Sequence, residues 1–132
     1  MTIEARVAEA RETLRRAGIP EADLDARVLA EFVLDWDDAQ FLSRRDETAG
    51  AEFLAAYDRL VARRSGREPL AYITGRKAFW HQTLEVSPAV LIPRPETELI
   101  VEAALARCPD HEVPLSIADV GTGSGCLAVA LA

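Results

Sequence analysis

The sequence predicts a small all-α helical bundle, then a β-hairpin linker, then the truncated start of an α/β domain. Three observations support this fold class. Apolar residues recur every three or four positions through residues 1–66, which is typical of amphipathic helices. Short alternating segments follow in residues 67–92. Within residues 93–132, an apolar strand candidate, a glycine-rich turn and an apolar helix candidate follow one another, as in the first unit of a doubly wound sheet.

The composition narrows the class of protein. The chain has 132 residues, of which 22 are acidic and 15 basic, for a formal net charge of -7. The acid excess argues against a nonspecific nucleic-acid binder, which needs a basic face. No apolar run is long enough for a membrane span, which takes about 18 residues, and the first residues lack a signal-peptide core. Two cysteines are too few for a secreted disulfide scaffold, so we expect a cytoplasmic protein. We also expect the protein to be a monomer.

The bundle is predicted to contain four helices, over residues 3–17, 21–35, 38–43 and 47–64. Gly18 and Gly66 are expected to end the first and the last of them. The predicted inward-facing side chains are Ile3, Val7, Ala10, Leu14, Ala17, Leu24, Val28, Phe32, Phe41, Leu42, Phe53, Leu54, Tyr57, Leu60 and Val61. Carboxylates are expected on the outward faces. We therefore predict that the bundle is a docking or structural module and that it contains few or no catalytic residues.

The linker region is predicted to form a β-hairpin. Residues 77–80 and 83–86 flank a polar His81-Gln82 turn, and residues 90–92 read as a further extended stretch. Pro93 and Pro95 are expected to hold Arg94 extended, because a residue before proline avoids the helical region. A helix is predicted to follow through residues 99–107. Taken alone, residues 93–98 are a stiff lead-in that places acids at a helix start.

The glycine turn at residues 121–125 follows a buried-strand candidate, residues 115–120. Glycines let the backbone turn sharply and approach a ligand closely. A dinucleotide fingerprint would need a glycine where Cys126 stands, and the lysine of a phosphate-binding loop is absent. An acid, Asp119, two residues before G-x-G-x-G resembles the first motif of Rossmann-like methyltransferases. On this motif alone, two other interpretations remain possible. The chain could belong to a dinucleotide-binding oxidoreductase, or the motif could be a tight turn with Asp119 as a local cap.

Three blocks of sequence carry a family resemblance: residues 68–75 (EPLAYITG), 90–98 (VLIPRPETE) and 118–125 (ADVGTGSG). In order and spacing they resemble the HemK-type, or release factor glutamine, methyltransferases, and the resemblance covers the whole chain. It implies transfer of a methyl group from S-adenosylmethionine to a glutamine side chain. In this family that glutamine lies in the Gly-Gly-Gln motif of bacterial peptide chain release factors. The helical bundle would dock the release factor.

The resemblance also implies the site residues. The cofactor loop would be Gly121, Thr122, Gly123, Ser124 and Gly125, with Asp119 beneath it; the entrance of the pocket would be lined or shaped by Arg94, Glu96 and Thr97. The family's Asn-Pro-Pro-Tyr motif is absent, as is any asparagine. We therefore expect no catalytic residue in this chain and no methylation by it alone.

Two further expectations follow. A non-catalytic docking module for a release factor or another protein is the alternative function. No metal site is expected, because His81 and His111 stand 30 residues apart without a cluster of ligands.

Overall fold

The computed structural model describes residues 1–132 and divides them into two compact units, Met1–Thr74 and Gly75–Ala132. The first unit contains five helices: α1 (Ile3–Arg16), α2 (Ala22–Leu34), α3 (Asp38–Arg44), α4 (Ala51–Ser65) and α5 (Leu70–Thr74). The second contains a hairpin of β1 (Arg76–Phe79) and β2 (Gln82–Glu85), a 3₁₀ turn (Pro95–Thr97), α6 (Glu98–Arg107) and α7 (Cys126–Leu131). The predicted helical bundle and hairpin are therefore present.

The first unit extends beyond the predicted end of the bundle at residue 66. The added element is α5, which packs against α2 and α4 and buries Ile73 in their common core. The core comprises Ile3, Val7, Ala10, Leu14, Ile19, Ala22, Ala26, Leu29, Ala30, Phe41, Phe53, Tyr57, Val61 and Ile73. No helix of either unit has the length and apolarity needed to cross a bilayer.

Helix α1 has the predicted face but ends at Arg16, one residue before the predicted end, and Ala17 is only half-buried. Its four buried side chains are Ile3, Val7, Ala10 and Leu14. Thr2 caps the N-terminus by accepting a hydrogen bond from the Ala5 N–H at 3.2 Å. Gly18, with φ +73°, ends the helix in the left-handed conformation that glycine adopts without strain.

The predicted inward face of α2 is wrong. Leu24 is 43% exposed, and Val28 and Phe32 are only half-buried. The buried residues are instead Ala22, Asp25, Ala26, Leu29 and Ala30. Alanines let neighbouring helices approach closely, so contact with α1 and α4 selects the small face over the bulky one. Asp25 also contradicts the expectation that carboxylates of the bundle point outward.

Two further expectations in the bundle are corrected. Leu42 is 58% exposed, because the seven-residue α3 turns only Phe41 toward the core. Helix α4 begins at Ala51 and not near residue 47, because the preceding residues pair with the chain start. The Ile3 N–H donates to the Glu47 carbonyl and the Ala49 N–H donates to the Met1 carbonyl, both at 3.0 Å.

Glu31 lies near the end of α2 among other charged groups. Its Oε1 lies 3.4 Å from Arg27 Nε, and the Arg27 guanidinium also lies 3.4 Å from Asp38. Burial and the neighbouring Asp38 raise the pKa of Glu31 to about 7, although Arg27 opposes the shift. A carboxyl group whose pKa is raised by folding stabilises the protein most at low pH and loses that contribution as the pH rises through the raised value.

The substitution Glu31→Gln is therefore expected to make stability less dependent on pH. The wild type should lose stability between about pH 5 and about pH 8, and the variant should lose less because glutamine stays neutral. Urea denaturation at the two pH values measures this. The control is Glu21→Gln, at an exposed position at the start of the same helix. An identical loss of stability in wild type and Glu31→Gln would contradict the prediction.

The second unit has a smaller core. Phe79, Leu84 and Val101 are its buried cluster, against which Trp80, Leu105, Cys126, Leu127, Ala130 and Leu131 pack. In the hairpin, Phe79 pairs with Gln82, so the turn residues are Trp80 and His81, one position earlier than predicted. Helix α6 starts at Glu98, one residue before the predicted start, and ends at Arg107 as predicted.

The strand predicted over residues 115–120 is absent. This stretch has no regular structure, and Leu115, Ile117 and Val120 are 55%, 61% and 95% exposed. A buried parallel strand needs neighbouring strands for its backbone groups and layers over both faces. The hairpin strands β1 and β2 pair only with each other. Residues 90–92 likewise join no strand, and the Val90 N–H donates to the Ser87 carbonyl in a turn.

Candidate functional site

The glycine loop turns sharply into α7, as its composition predicts. Gly121, Gly123 and Gly125 have φ values of +76°, +56° and +79°. A Cβ atom on Gly121 or Gly123 would meet no atom within 4 Å, so crowding does not require glycine there. The left-handed backbone conformation favours glycine at both positions, because other residues adopt it at a cost of roughly 1–2 kcal/mol. The loop therefore has open space beside the backbone of Gly121 and Gly123.

Asp119 precedes this loop and is bonded to it. The Thr122 hydroxyl donates to Asp119 Oδ2 at 2.9 Å, and the Gly125 N–H donates to the Thr122 carbonyl at 2.8 Å. Asp119 is half-buried, and this hydrogen bond engages only one of its carboxylate oxygens. The other oxygen is free to accept a hydrogen bond from a ligand. The arrangement is that of a local cap and is also compatible with holding an ammonium group.

Arg94, Glu96 and Thr97 lie on the lead-in to α6. Arg94 is extended, with φ -94° and ψ 144°, as its two flanking prolines predict. The Thr97 N–H donates to the Arg94 carbonyl at 3.0 Å, while the side chains of Arg94 and Glu96 are exposed. No hydrogen bond or ion pair joins these three residues to the glycine loop, so the structure does not bring the two predicted groups together.

Glu98 is a residue of this block whose role sequence reasoning missed. Its Oε1 accepts a hydrogen bond from the Trp80 N–H at 2.7 Å, which fastens the hairpin turn to the start of α6. Trp80 has a φ of +56°, which is rare for a large side chain and requires support from its surroundings. Only the acid at a helix start was visible in the sequence, because its partner lies 18 residues away.

Two apolar cavities open in the second unit, with volumes of about 570 and 600 Å³. Both are lined by α6, by Leu131 of α7 and by Leu115 and Ile117 of the predicted strand. Trp80 and His111 border the first cavity. The glycine loop lines neither of them. No cluster of three or more His, Cys, Asp or Glu side chains is arranged to hold a metal ion.

A family model described as the PrmC N-terminal domain matches residues 6–75, which is more than half of the chain. The chain belongs to this family. The match to the PrmC N-terminal domain ends one residue beyond the first structural unit.

Curated relatives extend the similarity to the second unit. A release factor glutamine methyltransferase of Koribacter versatilis is 43% identical over 132 residues, which is all of this chain and 47% of the relative. That of Vibrio cholerae is 42% identical over 134 residues, covering all of this chain and 46% of the relative. That of Escherichia coli is 45% identical over 108 residues, covering 82% of this chain and 38% of the relative. The chain thus spans about half the length of the curated relatives that it matches.

Proposed function

We propose that this chain forms the N-terminal part of a release factor glutamine methyltransferase. The observation that carries the proposal is the 43% identity to a protein of that name across every residue of the chain. The substrate would be the glutamine of the Gly-Gly-Gln motif in bacterial peptide chain release factors. The bundle would dock the release factor, and the hairpin region would link it to a Rossmann-like domain. In that domain, residues 115–120 would form the first strand once neighbouring strands pair with them, and residues 121–125 would supply the glycine turn.

The glycine loop and Asp119 fit S-adenosylmethionine, which supplies an electrophilic methyl group when bound. This cofactor has no phosphate, so the absence of a phosphate-binding lysine is no obstacle. The open backbone at Gly121 and Gly123 leaves room for its methionine end. The free oxygen of Asp119 would accept a hydrogen bond from its ammonium group. Arg94, Glu96 and Thr97 would shape the entrance of the pocket once the domain is assembled.

The glutamine amide is a demanding substrate, because its nitrogen lone pair is delocalised into the carbonyl group. Catalysis would rest on alignment of nitrogen, methyl carbon and sulfur, together with hydrogen bonds that enrich the nitrogen in electrons. The sequence of this chain contains no asparagine for an Asn-Pro-Pro-Tyr motif. We therefore infer that residues 1–132 contribute docking and cofactor binding, and that they do not perform the transfer by themselves.

One experiment tests the methyltransferase assignment directly. The full-length protein that contains this chain is titrated with S-adenosylmethionine and with NAD, and is then incubated with release factor and S-adenosylmethionine. Binding of S-adenosylmethionine and the gain of one methyl group on the Gly-Gly-Gln glutamine, measured by peptide mass spectrometry, are expected. The 132-residue chain in the same assay should leave the release factor unmodified. Binding of NAD alone would point to a dinucleotide-binding enzyme and refute the proposal.

A non-catalytic docking role is the second candidate. It is favoured by the first unit, which has a core of 14 buried residues. Release factor binding by the 132-residue chain, without methylation by the full-length protein, would support this candidate against the first.

A further inference from the structure

A groove of about 510 Å³ lies on the first unit, beside the segment that connects α3 to α4. Its apolar lining comes from α1, α2 and α4 and from Trp36, which lies just after α2. The lining residues are Ile3, Val33, Leu34, Trp36, Phe53 and Ala56. Four of these side chains, Val33, Leu34, Trp36 and Ala56, are only half-buried. Apolar surface left partly open in this way is a common feature of peptide-binding grooves.

The rim of the groove carries a negative excess. The Arg44 guanidinium lies over the Trp36 ring at 4.3 Å and donates to Glu47 at 2.7 and 3.1 Å, so this pair is neutral and fixed. Glu52, in the first turn of α4, forms no ion pair. Residues 1–66 as a whole contain 14 acidic and ten basic side chains. A cationic group beside the groove would therefore be attracted, and an anionic one repelled.

The backbone at the groove offers hydrogen bonds to an extended chain. Thr48 pairs with Thr2 in an antiparallel bridge whose two hydrogen bonds are made by the residues on either side, Glu47 and Ala49. In this pattern the N–H and C=O of Thr48 itself point away from residues 1–3. Neither group bonds to another part of the protein. An extended peptide could satisfy both groups by adding along this edge.

We propose that this groove binds an extended apolar segment of the protein substrate, with a lysine or arginine next to the apolar residues. The apolar side chains fill the groove, the peptide backbone pairs with Thr48, and the basic residue lies near Glu52. The identity of the protein that carries this segment, a release factor, rests on the function proposed above. The chemical preference of the groove does not.

A pair of synthetic peptides tests the chemical preference. The probes are acetyl-Lys-Val-Leu-Val-Lys-amide and its counterpart with glutamate in place of both lysines, titrated into the isotope-labelled 132-residue chain. The lysine peptide should shift the amide resonances of Thr48, Gly50 and Ala56, and the glutamate peptide should bind about tenfold more weakly. Equal affinity for both peptides, or shifts that avoid these residues, would overturn the proposal.

Matched variants then test the occupant. Glu52→Arg and Ala56→Glu should each weaken binding of the lysine peptide and of full-length release factor by about tenfold or more. Glu21→Arg, which makes the same charge change at the exposed start of α2, should weaken neither. Circular dichroism is used to check that each variant is folded.

The outcomes separate the two proposals. If Glu52→Arg weakens peptide binding but leaves release factor binding intact, a release factor segment is not the occupant and the groove proposal fails. If the wild type binds the lysine peptide at the groove but not release factor, the groove is supported and the proposed function is contradicted.

Discussion

Replacement of Arg64 by alanine is expected to destabilise the helical bundle by about 3–5 kcal/mol. Asp25 is 2% exposed, and its Oδ2 accepts a hydrogen bond from Arg64 Nε at 2.6 Å. The same guanidinium donates through Nη1 to the Glu68 carbonyl at 3.0 Å, just before α5. Without Arg64, the Asp25 carboxylate would remain buried with no counterion. The Glu68 carbonyl, just before α5, would also lose its hydrogen bond from the guanidinium.

Urea denaturation followed by circular dichroism measures the effect. Arg59→Ala, on the exposed surface of the same helix, should change the free energy of unfolding by less than about 0.5 kcal/mol. The double variant Asp25→Ala, Arg64→Met should recover much of the loss, because no unpaired charge is left in the core. A loss below about 1 kcal/mol in Arg64→Ala would mean that water reaches Asp25, contrary to its burial.

Replacement of Asp119 by asparagine should weaken binding of S-adenosylhomocysteine to the full-length protein by roughly 10- to 100-fold. This corresponds to loss of a charged hydrogen bond of about 1.5–3 kcal/mol. Asparagine keeps an oxygen that can accept the bond from the Thr122 hydroxyl, so the loop itself should persist. Isothermal titration calorimetry measures the affinity.

Methylthioadenosine provides the matched control, because it lacks the amino-acid end of the cofactor. Its affinity should be nearly the same for the wild type and for Asp119→Asn. If the substitution weakens both ligands equally, Asp119 acts by shaping the loop and does not hold the ammonium group. The variant Thr122→Val, which removes only the local hydrogen bond, shows how large such a shaping effect is.

Local patterns in the sequence predicted those elements whose structure depends on nearby residues. The face of α1 followed from bulky apolar side chains at helical spacing, and the extended Arg94 followed from its two prolines. The face of α2 could not be predicted in this way, because its three buried alanines are less conspicuous than the exposed Leu24. Tertiary packing decided which face was buried.

Elements that depend on distant partners were beyond local reasoning. Residues 115–120 have the composition of a buried strand, but a strand forms only beside another strand, and none pairs with them. In the candidate site, the turn at Gly121 and Gly123 was predictable from glycine alone. The hydrogen bond from the Trp80 N–H to Glu98 could not be predicted, because no local sequence pattern at either residue indicates it.

The unequal cores of the two units have a consequence for folding cooperativity. Fourteen buried residues form the core of the first unit, whereas only Phe79, Leu84 and Val101 form the buried cluster of the second. Amides in the second unit should therefore exchange with solvent through local opening long before the bundle unfolds. The glycine loop thus belongs to the less stable part of the chain. Binding of a ligand, or packing against additional residues, can therefore increase the order of the loop.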